Sequence, residues 1–388
     1  MTTLLFAGGG TGGHVFPMIA VAEAVHALAP GVELVFAGTD RGLEVKVVPA
    51  RGFVLETLRI APLRGGGLLG AVRGAWLAAR AVADARELLS RRAPRAVLSV
   101  GGYAAGPVAL AARSLGVPVA LVEPNVAIGL ANRLVAPFVS RAYIAFPEAG
   151  KHFSSSATLA TGVPLREGFT PSDYRPGRTL SILVLGGSQG AESLNRTVPR
   201  ALSRLDVTVV HQCGAGRDAA VRALYAELGF GERARVEPFI DDMPAALARA
   251  DLVIGRAGAS AVAEICAVGR PSLLVPYPFA GDHQRYNAES LARRGAAVSV
   301  LTKDATEERL GAELRRLERD RAALARMAAA ARVLGRPAAA RAIALDLLSL
   351  AGIAHEAGPD SEVPSGSHAD GGSLSAPAGD DVRAKGGL

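Results

Sequence analysis

A histidine directly after a glycine-rich turn is the side chain best placed in this sequence to accept a proton. Gly8, Gly10 and Gly13 have the spacing Gly-x-Gly-x-x-Gly, and His14 follows at the start of a helical pattern. The partial positive charge of a helix N-terminus disfavours an imidazolium, so this ring is expected to stay neutral and ready to take up a proton. A solvated histidine that caps the helix is the alternative.

A second glycine-rich turn, Gly186-Gly187-Ser188-Gln189-Gly190, lies about half a chain further on. Each turn follows a short apolar strand and leads into a helix, which is how backbone N–H groups are pointed at a phosphate. Two such turns predict two nucleotide-binding α/β halves with a ligand between them. The first turn also matches the dinucleotide fingerprint, for which Asp40 is a candidate ribose partner or simply a turn residue.

Two further polar residues are candidates for contacts with a sugar. Asn125 follows an apolar strand, at the end of the sheet where α/β proteins place ligands, and it either offers its amide to a sugar or caps a helix. Glu264 lies in a helical segment of small and apolar residues. A carboxylate there is costly unless paired, and either a ribose diol or a surface salt bridge would satisfy it.

Apolar strand-like runs alternate with helical patterns along the chain, which predicts an α/β fold with doubly wound parallel sheets covered on both faces. The candidate strands occupy residues 4–7, 33–37, 96–100, 119–122, 142–145, 181–185, 208–212, 234–238, 252–255, 272–275 and 297–301. A loop-like stretch near residue 162 divides the chain into domains 1–162 and 163–336. Residues 305–349 are helical in pattern, and residues 353–388, rich in Gly, Ser, Pro and Asp, are predicted to be a disordered tail.

Composition narrows the class of partner. The net charge is +7, and residues 354–388 contribute −4, so the predicted folded part carries about +11 and suits an anionic partner. No nucleic-acid-binding motif is present, which favours a phospholipid surface or a pyrophosphate substrate over nucleic acid. Two cysteines far apart, no signal-peptide pattern and no apolar run of ~20 residues predict a cytosolic protein without a membrane span.

One amphipathic stretch is a candidate membrane-surface patch. Apolar side chains alternate there with arginines, and the only tryptophan of the chain is among them. Such a stripe is typical of an interfacial helix, and an ordinary core helix with solvated arginines is the alternative. The residues of the patch are Leu68, Leu69, Val72, Arg73, Trp76 and Arg80.

Six motifs occur in the order GGGTGGHVFP, GGYAAGP, GLANR, GGSQGA, GASAVAE and PYPFAGDHQRYNA over residues 1–350. In this combination the chain resembles the MurG family of peptidoglycan N-acetylglucosaminyltransferases. The resemblance implies a GT-B fold of two Rossmann-like domains with an interdomain cleft, and a C-terminal helix at about 337–352 that crosses back to the first domain.

The same resemblance implies transfer of GlcNAc from UDP-GlcNAc to the MurNAc 4-hydroxyl of lipid I, with inversion and without a metal or other cofactor. The product is lipid II. It also implies a peripheral location on the cytoplasmic face of the bacterial inner membrane, with anionic phospholipid and other cell-wall enzymes as partners.

The resemblance further implies roles for individual residues. His14 is the base, Arg166 and Ser188 hold the diphosphate, Ile240 meets uracil through its backbone, Glu264 binds the ribose and Gln284 binds the GlcNAc hydroxyls. At Pro124 and Val163 the chain departs from the family pattern, which usually has glutamine and asparagine there. The implied UDP-GlcNAc-binding residues are Thr11, Gly12, Gly13, Asn125, Arg166, Ser188, Ile240, Ala259, Ser260, Ala261, Val262, Ala263, Glu264 and Gln284.

Three other functions are compatible with parts of the sequence. The first is a different GT-B enzyme, such as a UDP-GlcNAc 2-epimerase or a lipid or natural-product glycosyltransferase. The second is an NAD(P) dehydrogenase, which leaves the second glycine turn unexplained. The third is a nucleotide-sugar-binding protein without catalysis, against which His14 and Glu264 argue. A mechanism without metal must place the charge of the leaving UDP on helix N-termini, loop N–H groups and an arginine, since the chain has no Asp-x-Asp motif.

Overall fold

The computed structural model describes residues 2–58, 60, 67–187, 189–278 and 282–354, with the backbone alone for residues 67–75. Almost all of the predicted disordered tail therefore lies outside the described residues, and so does Ser188.

Thirteen strands in the described residues form two parallel sheets. The strands of the first sheet are β1 (Thr2–Gly8), β2 (Val32–Gly38), β3 (Val54–Thr57), β4 (Ala96–Gly101), β5 (Val119–Glu123), β6 (Arg141–Ile144) and β7 (Thr158–Leu159). The strands of the second sheet are β8 (Leu180–Leu185), β9 (Val207–Gln212), β10 (Ala234–Glu237), β11 (Leu252–Gly255), β12 (Ser272–Leu274) and β13 (Ala297–Ser299).

Thirteen α-helices connect and cover these strands in the described residues. Those of the first half are α1 (Gly12–Leu28), α2 (Glu44–Ala50), α3 (Gly67–Arg92), α4 (Ala105–Ser114) and α5 (Leu130–Val135). The others are α6 (Glu192–Leu202), α7 (Asp218–Glu227), α8 (Met243–Arg249), α9 (Ala259–Val268), α10 (His283–Arg293), α11 (Glu307–Arg319), α12 (Arg321–Leu334) and α13 (Ala339–Leu350). Short 3₁₀ helices lie at Ala136–Phe138, Pro147–His152, Ser155–Ala157, Gly231–Arg233 and Thr302–Asp304.

The two sheets have the same strand order. The first runs β3-β2-β1-β4-β5-β6-β7 and the second β10-β9-β8-β11-β12-β13, and every pair is parallel. This is the doubly wound Rossmann order, in which the chain reverses direction beside the first strand of each sheet. The predicted fold class is confirmed, and each glycine turn follows the strand of its own sheet that comes first in the sequence.

Strand β1 shows why the apolar runs are continuous. Leu4 and Phe6 pack on the face covered by α1 and α13, whereas Leu5 and Ala7 pack on the face covered by α3 and α4. Side chains alternate between the faces of a strand, so a strand buried on both faces needs apolar residues at every position. Strand β8 repeats the pattern, with its alternate residues in two separate cores.

Helix α13 leaves the second half and packs against the first. Four of its side chains are fully buried in the same core as strand β1 and helix α1. They are Ile343, Ala344, Leu347 and Leu348. Asp346 fixes the helix from its polar side, because it accepts hydrogen bonds from Arg141 and from the Tyr143 hydroxyl, the latter over 2.8 Å. The first half is thus assembled from both ends of the described chain. The domain boundary near residue 162 stays a prediction.

Candidate active site

His14 lies in the first turn of α1, against the turn that follows β4. Its Nδ1 is 3.4 Å from the Thr11 hydroxyl, and a Cβ added at Gly101 would lie 3.1 Å from its Cδ2. Burial lowers the pKa of His14, against the raising effects of the Gly9 carbonyl and the Glu44 carboxylate. The ring is therefore neutral near pH 7, as the sequence predicts, and burial is the largest cause.

Glu123 organises the loop in which Asn125 lies. Its carboxylate ends β5 without solvent exposure and accepts hydrogen bonds from the backbone N–H groups of Asn125 and Gly129, over 3.0 and 3.2 Å. The buried amide of Asn132 donates to it as well, over 2.9 Å. Burial raises the pKa of Glu123, and these hydrogen bonds oppose that rise. The loop that carries Asn125 is thus built around one buried carboxyl group.

The two halves meet at this loop through helix α10. Asn287 donates to the Asn125 side-chain oxygen over 3.1 Å and accepts from the Val126 N–H over 3.0 Å. One turn earlier, His283 Nδ1 lies 2.9 Å from the carbonyl oxygen of Ala127, to which it donates. The charge of His283 also acts on His14, whose pKa it lowers.

The other end of α10 contacts the first half through Glu148. This carboxylate accepts from the Ser290 hydroxyl over 2.9 Å and pairs with Arg293 and Arg294 over 3.2 and 3.1 Å. His283, Asn287, Ser290 and Arg294 recur at helical spacing, so one face of α10 forms the junction. The local pattern of α10 does not predict this face, because its partners lie 142–162 residues away in the chain.

Gln284 is held beside the loop after β11. Its side-chain oxygen accepts from the backbone N–H groups of Ala257 and Tyr277, over 3.1 and 3.0 Å. These bonds use the oxygen and leave the NH₂ group, which makes no hydrogen bond within the described residues. A fixed amide with free donors is suited to contact sugar hydroxyls.

Glu264 is half-buried near the middle of α9 and has no hydrogen bond or ion pair within the described part of the chain. Burial raises its pKa to about 7, and the charge of Arg166 opposes this rise. The alternative of a surface salt bridge is thus not seen among the described residues. An unpaired acceptor at this depth is suited to a ligand that brings hydroxyl donors.

The N-terminal half of α9 carries five more of the predicted UDP-GlcNAc-binding residues, Ala259 to Ala263. Its cap, Gly258, offers no side chain, and the buried Ser260 hydroxyl has no hydrogen-bond partner among the described residues. A mostly apolar cavity of about 130 Å³ lies behind this turn and is lined in part by Ala259, Val262 and Ala263. Ala261 is half-buried in the same turn. The first turn of α9 therefore presents free N–H groups and one free hydroxyl.

Ile240 and Arg166 flank this region. Ile240 is buried in the segment between β10 and α8, and the guanidinium of Arg166 lies 5.6 Å from the ring centre of Phe169. Arg256, to which the sequence analysis gave no role, follows β11 and donates to the Ser193 hydroxyl in the first turn of α6, over 2.7 Å. It thereby places a second cation beside the second glycine turn.

A buried polar chain supports the second glycine turn. Asn195 in α6 donates to the Cys213 carbonyl over 2.9 Å and contacts His211 Nε2 over 3.1 Å. His211 Nδ1 in turn lies 3.0 Å from the Tyr225 hydroxyl. Burial lowers the pKa of His211 to about 4, so the imidazole is neutral in the folded protein.

The predicted membrane patch lies on α3. Trp76 is 59% exposed, and the guanidinium of Arg80 lies 5.7 Å from the centre of its ring. The side chains of Leu68, Leu69, Val72 and Arg73 lie outside the described residues. Within those that are described, no helix combines the length and apolar character needed to cross a bilayer, and no group of three or more His, Cys, Asp or Glu residues is suited to bind a metal.

Both halves match the models of one protein family. The Glycosyltransferase family 28 N-terminal domain matches residues 4–144, and the Glycosyltransferase family 28 C-terminal domain matches residues 181–343. A Sorangium cellulosum protein named UDP-N-acetylglucosamine--N-acetylmuramyl-(pentapeptide) pyrophosphoryl-undecaprenol N-acetylglucosamine transferase is 58% identical over 90% of this chain and 89% of its own. A protein of the same name from Anaeromyxobacter sp. (strain Fw109-5) is 44% identical over 88% of this chain and 91% of its own.

Solved structures agree with this assignment. Acinetobacter baumannii MurG is similar with a TM-score of 0.76 and 32% identity, over 90% of this chain and 100% of that one. A putative UDP-N-acetylglucosamine 2-epimerase from Listeria monocytogenes is similar with a TM-score of 0.63 and 18% identity, over 90% of this chain and 96% of its own. At this identity the similarity shows a shared fold and no more. The GT-B fold class is thus confirmed, and the chain belongs to glycosyltransferase family 28 and, within it, to the MurG family.

Proposed function

We propose that this chain transfers GlcNAc from UDP-GlcNAc to the MurNAc 4-hydroxyl of lipid I, with inversion, and so forms lipid II. Family membership gives the reaction. The observation that carries the proposal is the meeting of the two halves at Asn125, Asn287 and His283, which brings His14 of the first half next to the helix that carries Gln284.

The donor site belongs to the second half in this proposal. Glu264 accepts from the ribose hydroxyls, since its carboxylate has no partner among the described residues. Gln284 donates to the GlcNAc hydroxyls through its NH₂ group, and Ile240 contacts uracil through its backbone. Asn125 contacts the sugar from the first half, and Thr11, Gly12 and Gly13 line the same side.

The charge that develops on the leaving UDP requires stabilisation. The second glycine turn with Ser188 and the start of α9, at Ala259, Ser260 and Ala261, supply backbone N–H groups, and the guanidinium of Arg166 supplies a cation. Val262 and Ala263 complete the same stretch of α9, where the Val262 N–H already donates to the Gly258 carbonyl. Helix N-termini and N–H groups bind phosphate in this way, and donors fixed in advance stabilise charge that develops in a transition state. We expect this set of groups to work without a divalent metal.

His14 is the general base of the proposed mechanism. As the bond between the acceptor oxygen and the anomeric carbon forms, the hydroxyl proton moves to the neutral imidazole, and the bond from that carbon to the UDP oxygen breaks. Attack from the face opposite UDP inverts the anomeric centre. A well-placed base contributes about 10²–10⁴-fold to the rate.

The acceptor carries a lipid, so we propose that the enzyme binds peripherally to the cytoplasmic face of the inner membrane. The exposed Trp76 and the neighbouring Arg80 suit an interface with anionic phospholipid. Other cell-wall enzymes that make or use the lipid-linked sugars are the partners we expect at that surface.

One experiment tests the reaction and its base together. Transfer of labelled GlcNAc from UDP-GlcNAc to a lipid I analogue is measured in EDTA, with wild-type protein and with His14→Ala. We expect full transfer by the wild type and a fall of about 10²–10⁴-fold for the variant, with UDP affinity unchanged. Loss of transfer in EDTA, release of an epimerised sugar, or full activity of His14→Ala would each contradict the corresponding part of the proposal.

A further inference from the structure

Glu44 is a fully buried carboxylate that the reaction described so far does not use. It begins α2 and reaches back into the first glycine turn. Its Oε2 accepts from the Gly10 N–H over 2.8 Å, and its Oε1 accepts from the N–H and the hydroxyl of Thr39, over 2.9 and 2.8 Å. The first glycine turn therefore has an anion of the chain itself bound to one of its N–H groups.

The turn is built tightly around this carboxylate. A Cβ at Gly9, Gly38 or Gly42 would overlap atoms of the Glu44 side chain, and Gly9 has a φ of +145° that favours glycine. The backbone N–H of Leu43 also donates to the Gly10 carbonyl, over 3.4 Å. Gly10 is thus held through both its N–H and its C=O by two successive residues.

The opposite side of the turn is closed by the loop after β4. A Cβ at Gly102 would overlap the Gly9 carbonyl, and one at Gly101 would meet the His14 ring. Thr11 follows Gly10 directly, and its carbonyl accepts from the His14 N–H over 3.1 Å. The position of Gly10 therefore fixes where α1 begins and where the His14 ring lies.

Glu44 also acts on His14 through its charge. Burial favours a raised pKa for Glu44, but hydrogen bonds from Gly10 and Thr39 lower the pKa below its ordinary value, so the side chain stays ionised. The groups that face His14 are the Thr11 hydroxyl, the Gly9 carbonyl, Glu44 and His283. Two of these groups are titratable: the charge of Glu44 favours the imidazolium form of His14, and that of His283 disfavours it.

We propose that Glu44 is a positioning residue for His14: it holds the Gly9–Gly10 turn in place and its negative charge stabilises the imidazolium formed when His14 accepts the proton of the acceptor hydroxyl. This inference rests on the proposed role of His14 as base. It gives α2, which carries no residue predicted to bind substrate, a part in the reaction.

The direct test is Glu44→Gln, which keeps the size of the side chain and removes its charge. We expect kcat to fall roughly 10- to 100-fold, because small displacements of a reacting group have effects of this order. We also expect the acidic limb of kcat/KM against pH to move to lower pH, since His14 loses the charge that raises its pKa. The affinity for UDP should stay unchanged.

The matched control is Glu23→Gln, on the exposed face of the same helix as His14, where Glu23 pairs with Arg51. It should leave kcat and the pH profile as in the wild type. A Glu44→Gln protein with wild-type kcat and acidic limb would overturn the proposal. So would one that loses UDP affinity in proportion to kcat, since that would indicate general damage to the fold.

Glu44→Asp keeps the charge, but its side chain is one methylene too short to reach the turn. If Glu44→Gln does not fold, this variant tests whether Glu44 positions His14. A lower kcat with an unmoved acidic limb supports the proposal, and a wild-type kcat overturns it. Combining Glu44→Gln with His14→Ala separates the two proposals. If His14→Ala alone is fully active, the base assignment fails; if it is impaired and Glu44→Gln adds an independent loss, the Glu44 proposal fails.

Discussion

The side-chain amide of Asn287 donates a hydrogen bond to the side-chain oxygen of Asn125 over 3.1 Å, and the two residues belong to different sheets. Asn287 has no exposure to solvent. It also donates to the Ala257 carbonyl over 3.1 Å and accepts from the Val126 N–H over 3.0 Å. One amide thus ties the loop after β5 to the loop after β11 and sets the orientation of Asn125.

Asn287→Ala should therefore weaken both stability and catalysis. It leaves three polar groups at the junction without a partner, at about 1–3 kcal/mol for each one that stays buried. We expect kcat/KM for UDP-GlcNAc to fall roughly 10- to 100-fold, with an increased KM. Steady-state kinetics measures this, and Glu289→Gln on the same helix is the control. An unchanged kcat/KM in the folded variant would refute the role of this bridge.

The affinity for UDP-GlcNAc should depend on pH through Glu264. Its pKa of about 7 without ligand means that the carboxyl group is increasingly protonated below that pH. The ionised form is the better acceptor for two ribose hydroxyls, so binding should weaken as the pH falls from 8 to 6. Calorimetry with UDP-GlcNAc, whose diphosphate does not titrate in this range, measures the effect. Glu264→Gln should bind more weakly and without this pH dependence; an equal dependence in that variant would exclude Glu264 as its source.

The stability of the second half should fall in acid because of His211. Its pKa is about 4 when folded against 6.5 for a free histidine, so the unfolded chain binds more protons between these values. The free energy of unfolding should therefore be highest above pH 6.5 and should fall by about 3 kcal/mol as the pH approaches 4. Thermal unfolding of wild type and His211→Gln across this range measures the difference. His26→Gln, at an exposed position of α1, should behave as the wild type; if His211→Gln does so too, the buried imidazole is not the cause.

Trp76 should contribute to binding at a lipid surface. Its indole is largely exposed, and Arg80 beside it can face anionic headgroups. We expect Trp76→Ala, alone and with Leu69→Ala, to lower partitioning onto vesicles of anionic phospholipid and to leave UDP affinity unchanged. Val333→Ala, at an exposed apolar position of α12, is the control. Equal partitioning of wild type and Trp76→Ala would reject the patch.

All eleven predicted strands are present, and the two that the sequence analysis missed are β3 and β7. They are the two edge strands of the first sheet, where partly exposed strands need no continuous apolar run. Buried central strands such as β1 and β8 are recognisable because both of their faces must be apolar. Strands β3 and β7 form because a neighbouring strand pairs with each of them, and their own residues show no continuous apolar run.

The residues of the candidate site also differ in whether the sequence alone could reveal them. His14 and Glu264 are singled out by their local surroundings and Gln284 by the family resemblance, and their roles in the reaction stay predictions. The roles of Glu44 and Asn287 could not be predicted, since Gly10 and Val126, to which they bind, lie 34 and 161 residues away in the chain. Local motifs thus point to groups suited to touch substrate, whereas the residues that hold those groups in place become visible only in the structure.

Helix α13 has a consequence for how the protein is made. The first sheet is translated early, yet one of its faces is covered by Ile343, Leu347 and Leu348 near the end of the described chain. At about 5–20 residues per second, roughly 10–40 s pass between the synthesis of the first sheet and the synthesis of the helix that covers this face. During this interval a nascent chain exposes apolar surface to chaperones and to other nascent chains, and a message truncated before codon 339 would leave it exposed for good.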